Sequence, residues 1–325
     1  MKPLITVGIP TYNGSKYISE TIDSILIQME FVPEGFVEIL ISDNCSDDDT
    51  AKIIAGYCKK YPDIFSYYKN VENVGFDKNL NLIFERAQGK YVWLLSDDDV
   101  LISDALKTIT ELLKKDFDYI HLNWSECNQK LKVNNHKALK LLKNETFFDF
   151  NLFLTKVKTS PIFISSNIFK KSSWGKDANE FIGTGWLHYA KLFNISKRPS
   201  KILVVSNPTV KYRWSEGGWK TNHLFNIKLT LTLFDLINFY KDYISPKVLQ
   251  ECIDITLSEL HFEICASRLS KEIIPADILD KLKKNLIPFW RFQFFYLKLL
   301  KIPLPVVRVF YWGCKAQRKI FSILH

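Results

Sequence analysis

The chain has 325 residues, 47% hydrophobic and 24% charged; this is a globular composition with enough material for a substantial core, and it excludes an intrinsically disordered chain. The formal net charge of +9 is local: residues 281–325 carry ten Lys/Arg and no Asp/Glu, while the other 280 residues hold 34 basic against 35 acidic groups. A near-neutral body with a basic tail argues against a nucleic-acid-binding body and for an anionic partner of the tail alone.

Taken in chain order, the apolar run 4–9 ending at Pro10 reads as a buried strand. A helix from about Ser15 follows, with Ile18, Ile22, Ile25, Leu26 and Met29 at helical spacing. Residues 37–42 form a second strand, and Ser46 with Asp49 three places on predicts a capping box for the next helix, which Pro62 ends. A strand at 64–69 precedes a helix through Leu80, Ile83, Phe84 and Ala87, stopped by Gly89. Residues 91–95 are apolar throughout, as in a central strand, and a helix over 102–113 and a strand at 118–123 complete the series. This alternation predicts an α/β fold: a mostly parallel sheet with helices on both faces. Beyond residue 125 the pattern is mixed, with strand-like runs at 162–169 and 202–207, and 223–285 reads as helices. Residues 1–220 are therefore expected to share one core (1–125 and 126–220 as its halves), with 221–325 as a helical appendage.

The six cysteines lie far apart, with no C-x-x-C pair and no Cys/His cluster, so reduced thiols in a cytosolic setting are expected. The first residues enter a strand at once without the pattern of a signal peptide, and no run of 18 uncharged apolar residues predicts a membrane span.

Four strand ends carry chemistry-bearing residues. Ser96-Asp97-Asp98-Asp99 follows the central strand, where open parallel sheets bind ligands. Three adjacent carboxylates suit a hard divalent cation, Mg²⁺ or Mn²⁺, completed by water and phosphate oxygens; capping of the next helix needs one of them. Asp43 ends the second strand as an acceptor for a nucleobase edge or as a turn residue. Pro10-Thr11-Tyr12-Asn13 offers a stiff loop with an aromatic face. Asn73-Val74-Gly75-Phe76-Asp77-Lys78-Asn79 brings a glycine whose backbone a ligand can approach.

In this order the series resembles the family 2 glycosyltransferases of GT-A fold, over residues 4–125, and within them the bacterial O-antigen and capsule transferases of the abequosyltransferase-like group. The resemblance implies that Pro10, Thr11, Tyr12, Asn13 and Asp43 hold the nucleoside of a nucleotide diphosphate-sugar, with Asn73, Gly75 and Asn79 on the same donor edge. It places Ser96-Asp97-Asp98 at the D-x-D position, with Asp98 as chief metal ligand and Asp97 and Asp99 beside it. The family's acceptor-side Glu-Asp pair is missing. Glu180, Asp177 and His188 are the nearby candidates for a general base, Glu180 and His188 foremost. Lys211-Tyr212-Arg213-Trp214 and Gly217-Gly218-Trp219-Lys220 resemble the family's R-W element: Arg213 would grip the leaving diphosphate, Lys211 would assist, and Trp219 would cover the sugar.

The tail 288–325 interleaves basic and aromatic residues. It is expected to lie in an anionic membrane surface at the cytoplasmic face and not on nucleic acid. The expected activity is metal-dependent transfer of a sugar to a hydroxyl of a lipid-linked oligosaccharide in surface polysaccharide synthesis. The alternatives are a Mg-dependent phosphohydrolase with an aspartyl nucleophile and a non-catalytic donor- or membrane-binding scaffold.

Overall fold

The computed structural model describes residues 2–175, 177–214, 222–286 and 303–313. The chain divides into two units, Met1–Trp214 and Ser215–His325.

The first unit opens with β1 (Ile5–Thr11), α1 (Ile18–Leu26), β2 (Val37–Asp43), α2 (Thr50–Lys60), β3 (Phe65–Lys69), α3 (Phe76–Arg86) and β4 (Tyr91–Leu94). Strands 1 to 4 pair in parallel in the order β3-β2-β1-β4. Along β1 the side chains alternate between the two faces. Ile5, Val7 and Ile9 enter one core with Ile22 and Ile25 of α1 and Ile54 of α2. Gly8 faces the other way, so close to α3 that an added Cβ would stand 2.4 Å from Cγ2 of Ile83. Helices thus cover both faces, as the alternation predicts.

Four expectations are corrected in detail. The capping box at Ser46 does not form: α2 begins at Thr50, whose N–H is held by the Asp48 carboxylate at 3.0 Å, and the Ser46 hydroxyl instead accepts the Asn13 N–H at 2.9 Å. Gly89 follows a helix that has already ended at Arg86; its role is close approach, since a Cβ there would lie 2.5 Å from the backbone N of Thr6. A two-residue strand, β5 (Val100–Leu101), precedes α4 (Ala105–Leu113). The run 162–169 is a strand only at its end. Two 3-10 turns, Ser160–Ile162 and Ile164–Ser166, fill its first part, because the Asn167 amide gathers the carbonyls of Pro161, Phe163 and Ile164 beneath it.

After α4 come β6 (Tyr119–Cys127), β7 (Val133–Asn135), β8 (Glu145–Phe147), α5 (Phe150–Val157), β9 (Asn167–Lys170), α6 (Lys171–Trp174), α7 (Leu187–Asn194) and β10 (Ile202–Arg213). β9 inserts between β4 and β6, antiparallel to both. β10 runs parallel to β6 and antiparallel to β5, giving the order β3-β2-β1-β4-β9-β6-β10-β5. In the β5–β10 register Lys211 faces Val100. Two residues further on, Arg213 is therefore delivered opposite Asp98.

The second unit holds α8 (His223–Phe239), α9 (Pro246–Leu269), α10 (Ala276–Leu286) and a helix over 304–313. Phe234 and Ile237 of α8 and Leu260 and Ile264 of α9 are buried. His223 pairs with Glu263 at 2.8 Å. Tyr311 stacks on Phe262 with ring centroids 5.1 Å apart. Among the described residues no helix is long and apolar enough to cross a membrane.

Candidate active site

The parallel register sets Thr11 against Asp43 and Gly8 against Leu94. The carboxyl ends of β1, β2 and β4 therefore open on one edge. There the Thr11 hydroxyl donates to Oδ2 of Asp97 at 2.5 Å, and the Thr21 hydroxyl donates to the Asp97 carbonyl at 2.9 Å. The residue that permits this is Gly14: a Cβ there would lie 2.3 Å from Oδ2 of Asp97 and 2.4 Å from Oγ1 of Thr11. Pro10 lies within β1, paired with Ser42. Tyr12 is half exposed. Asn13 takes a φ of 55°, and its Oδ1 accepts the Asp47 N–H at 3.0 Å.

Asp43 stands at the expected strand end but is fully buried. Its Oδ1 accepts the Ser46 N–H at 2.8 Å and its Oδ2 the Tyr67 hydroxyl at 2.9 Å. The carboxylate orders the β2–α2 loop, and in this structure it is not open to a base edge. Asn79 is likewise buried. Its Oδ1 accepts the Ser42 hydroxyl at 2.8 Å and the Asn70 amide at 2.9 Å, and its Nδ2 donates to the Ser42 carbonyl at 2.9 Å. It locks α3 to β2 and does not face the open edge. Asn73 is exposed and its Oδ1 accepts the Gly75 N–H at 3.0 Å. Gly75 is glycine for its φ of +83°, with nothing within 4 Å of an added Cβ, so conformation and not close approach selects it.

The acidic trio divides its duties. Asp99 is buried, with Oδ1 accepting the Arg213 N–H at 2.9 Å and Oδ2 the Ser165 hydroxyl at 2.6 Å. Burial, with the charge of Asp98 adding to it, pushes its carboxyl well above the usual range. Asp99 is therefore not placed as a metal ligand, contrary to the sequence expectation. Ser165 passes the restraint on by accepting the Ser96 N–H at 2.9 Å. Ser96 donates from its hydroxyl to Oδ1 of Asp98 at 2.7 Å. The second Asp98 oxygen takes no hydrogen bond among the described residues. Asp97 is pushed up to about 7, mainly by burial; the Thr11 hydroxyl pulls the other way and Asp98 adds to the rise. Among the described residues no three His, Cys, Asp or Glu side chains gather as a metal cage. Asp97 and Asp98 fit a divalent ion that keeps water and phosphate oxygens in its shell, and such a charge would offset the mutual repulsion that helps raise Asp97.

Arg213 is buried with its donors engaged. Nε donates to the Asp98 carbonyl at 2.8 Å, Nη1 to the Gln129 carbonyl, and Nη2 to Glu20 at 2.8 Å, with the guanidinium over the Tyr17 ring. It is not a free fork for a diphosphate, as its place in the sequence suggested. It clamps the backbone of Asp98 from behind. Lys211 is half-buried on β10, and Trp219 lies outside the described residues.

On the other side, Glu180 is exposed in a 3-10 turn, Asn179–Phe181. His188, on α7, is 2% exposed, and Nε2 lies 3.0 Å from the Ile162 carbonyl. A carbonyl only accepts, so Nε2 carries the proton; burial pushes the imidazole pKa down and keeps it neutral. Nδ1 is then a bare lone pair, buried without a hydrogen-bond partner. Sequence reasoning did not single out Gly14, Ser165, Glu20 or Asp77. Gly14, directly after Pro10–Asn13, carried the readable signal. Ser165 and Glu20 act through pairings across distant segments and carried none.

A family model described as Glycosyl transferase family 2 matches residues 6–174. Abequosyltransferase RfbV of Salmonella typhimurium is 30% identical over 253 residues, 73% of this chain and 74% of that protein. The putative teichuronic acid biosynthesis glycosyltransferase TuaG of Bacillus subtilis is 38% identical over 112 residues, 34% of this chain and 42% of that one. Among solved structures, S. aureus TarS 1-349 in complex with UDP-GlcNAc aligns with a TM-score of 0.59 at 17% identity, covering 86% of this chain and 83% of that one. The mannosyltransferase PcManGT from Pyrobaculum calidifontis, in complex with GDP-Man and Mn2+, aligns with a TM-score of 0.54 at 16% identity, covering 99% and 88%. At such identities the structural likeness establishes the fold.

Proposed function

The chain belongs to glycosyltransferase family 2, and from that premise we propose that it moves a sugar from a nucleotide diphosphate-sugar to a hydroxyl of a lipid-linked oligosaccharide in bacterial surface polysaccharide assembly. The observation that carries the reading is the Thr11–Asp97–Asp98 constellation at the carboxyl edge of β1 and β4, held by Gly14 in front and by Ser96, Ser165, Asp99 and Arg213 behind. Pro10 to Asn13 and the exposed Asn73–Gly75 loop flank this edge and suit a nucleoside and its phosphates.

Asp98, with Asp97 beside it, would hold Mg²⁺ or Mn²⁺, which when bound supplies Lewis-acid neutralisation of the leaving diphosphate. The acceptor oxygen bonds to C1 of the sugar as the C1–O bond to the diphosphate breaks, and that electron pair leaves with the nucleotide. The hydroxyl proton goes to a base: Glu180 is open to solvent, and His188 offers a bare Nδ1 that an acceptor reaches only once the packing around it opens. Arg213 takes part through Asp98, which it holds still. The basic, aromatic tail 288–325 would keep the enzyme on the anionic inner face of the cell membrane, where a lipid-linked acceptor is presented.

The test is a melting-temperature panel of UDP, GDP, CDP and dTDP with Mn²⁺. One nucleotide should raise the melting point only with the metal, by about 2.7 kcal/mol of stabilisation at a ligand concentration of 100 times Kd. Asp98→Asn should abolish that shift while its own unliganded melting point stays near the wild type. An undiminished, metal-dependent shift in the variant would refute the metal assignment.

A further inference from the structure

The stretch that lacks the Glu-Asp pair has a carboxylate behind it. Asp77, at the second position of α3, is 2% exposed. Its Oδ2 accepts the N–H groups of Gly183 and Gly185, both at 2.8 Å, and its Oδ1 that of Leu187 at 3.2 Å. Gly183 and Gly185 have φ of +91° and +83°. Amides turned to one side by such a backbone form an anion-binding nest, and here the anion is a side chain from over a hundred residues away. The partner segment is reached from the donor side, because the residue that precedes α3 is Gly75, whose N–H donates to Oδ1 of Asn73.

The same turn of α3 also touches the candidate base: the Phe76 ring meets His188 edge-on at 6.4 Å. At the other end of this stretch Lys191, itself buried, donates from Nζ to the carbonyls of Gly175 and Asp177 and to Asn179 at 2.9, 2.7 and 2.8 Å. Two buried charges of opposite sign thus pin the two ends, with exposed Glu180 between them. Packing alone does not call for buried ions, since apolar replacements of like volume serve stability as well or better.

We propose that Asp77 is a positioning residue for transfer: it holds the acceptor-side loop, and with it His188, in fixed register to the donor-side loop Asn73–Gly75. The consequence for catalysis rests on the glycosyl-transfer reading; the anchoring does not.

The experiment compares wild type, Asp77→Ala and Asp77→Asn in the full chain, with and without formate as a replacement anion. Amide exchange across 183–194, affinity for the Mn²⁺–nucleotide chosen by the melting panel, and nucleotide release from its sugar donor are measured together. Asp77→Ala should speed exchange in that segment, leave nucleotide affinity unchanged and lower turnover at saturating donor by about 100-fold, the penalty of a misplaced reacting group. Formate should slow exchange again and restore turnover in Asp77→Ala but not in Asp77→Asn, whose amide fills the site: its oxygen can still accept from Gly183 and Gly185, and its nitrogen then meets the Leu187 N–H. Should Asp77→Ala not fold, Asp77→Asn reads the same exchange and turnover. Unchanged turnover in a folded variant, turnover lost only in step with nucleotide affinity, or no response to formate would overturn the proposal. Formate-dependent exchange in a protein whose wild type turns over no donor would instead sink the glycosyl-transfer reading, and the catalytic part of this inference with it.

Discussion

Gly14→Ala separates site geometry from fold stability. Gly14 is outside the left-handed region, so alanine adds no backbone strain there; it should even gain about 0.4–1 kcal/mol by restricting the unfolded chain. The added methyl, however, would sit 2.3 Å from Oδ2 of Asp97 and 2.4 Å from Oγ1 of Thr11. Neither distance is tolerable, so the 2.5 Å bond between those atoms must open. A hydrogen bond to a charged group contributes about 1.5–3 kcal/mol, which sets the expected loss of Mn²⁺–nucleotide affinity at roughly 10- to 150-fold. The net fall in unliganded stability should stay below about 3 kcal/mol, because one interaction is lost and a small gain opposes it. Isothermal titration with the nucleotide of the panel reads the first quantity and urea unfolding the second. Thr11→Val removes the same bond from the other side, so the double variant should cost little more than either single one. Wild-type affinity in Gly14→Ala, or full additivity of the two changes, would show that the Thr11–Asp97 contact does not organise the site.

Three further outcomes follow from other parts of the molecule. His121 is buried between Tyr119 and Ser160, and burial lowers its pKa from 6.5 to about 3. The unfolded chain takes up this proton first, so stability is intact above pH 6.5 and falls as pH drops from 6.5 toward 3, by up to about 4–5 kcal/mol at ~1.4 kcal/mol per unit. His121→Gln should flatten that slope in urea midpoints measured from pH 7.5 to 4.5, and an unaltered slope would mean another group governs it. Gly89→Ala sets a methyl against the backbone of Ile5 and Thr6, which cannot rotate away; a loss of about 3 kcal/mol is expected, and a melting point within a degree of wild type would contradict the packing described. Replacing Lys298, Lys301, Arg308, Lys315, Arg318 and Lys319 by Gln should release the protein from vesicles containing phosphatidylglycerol, at about 1 kcal/mol per basic group engaged; unchanged co-sedimentation would remove the membrane assignment.

What a sequence discloses here depends on how local the cause is. The β-α alternation is local: Ile5, Val7 and Ile9 against Ile22 and Ile25 need only a period of two and a period of 3.6. Family and fold were therefore within reach from residues 4–125, and so was the edge on which Thr11 and Asp97 to Asp99 meet. The division of labour within the trio was not. Whether a carboxylate faces a cation or a backbone amide depends on β5 pairing antiparallel with β10, which brings the Arg213 N–H to Asp99 from 114 residues away. Two-residue strands such as β5 have no periodicity to detect. Arg213 shows the same limit: its type and its place before Trp214 suggested a phosphate fork, yet the register places it behind Asp98 with Glu20 as its ion partner. Asp77 stands within the loop motif Asn73–Asn79, but its role is not local, because its three donors lie beyond residue 180. The site residues whose reading changes, Asp43, Asn79, Asp99 and Arg213, are polar side chains taken up by internal partners, from the same half of the chain for Asp43 and Asn79 and from distant segments for Asp99 and Arg213. In this family-2 chain the first half supplies the acids; the second half supplies the donors that close Asp99 and Asp77, while Asp43 and Asp97 are held from within the first half.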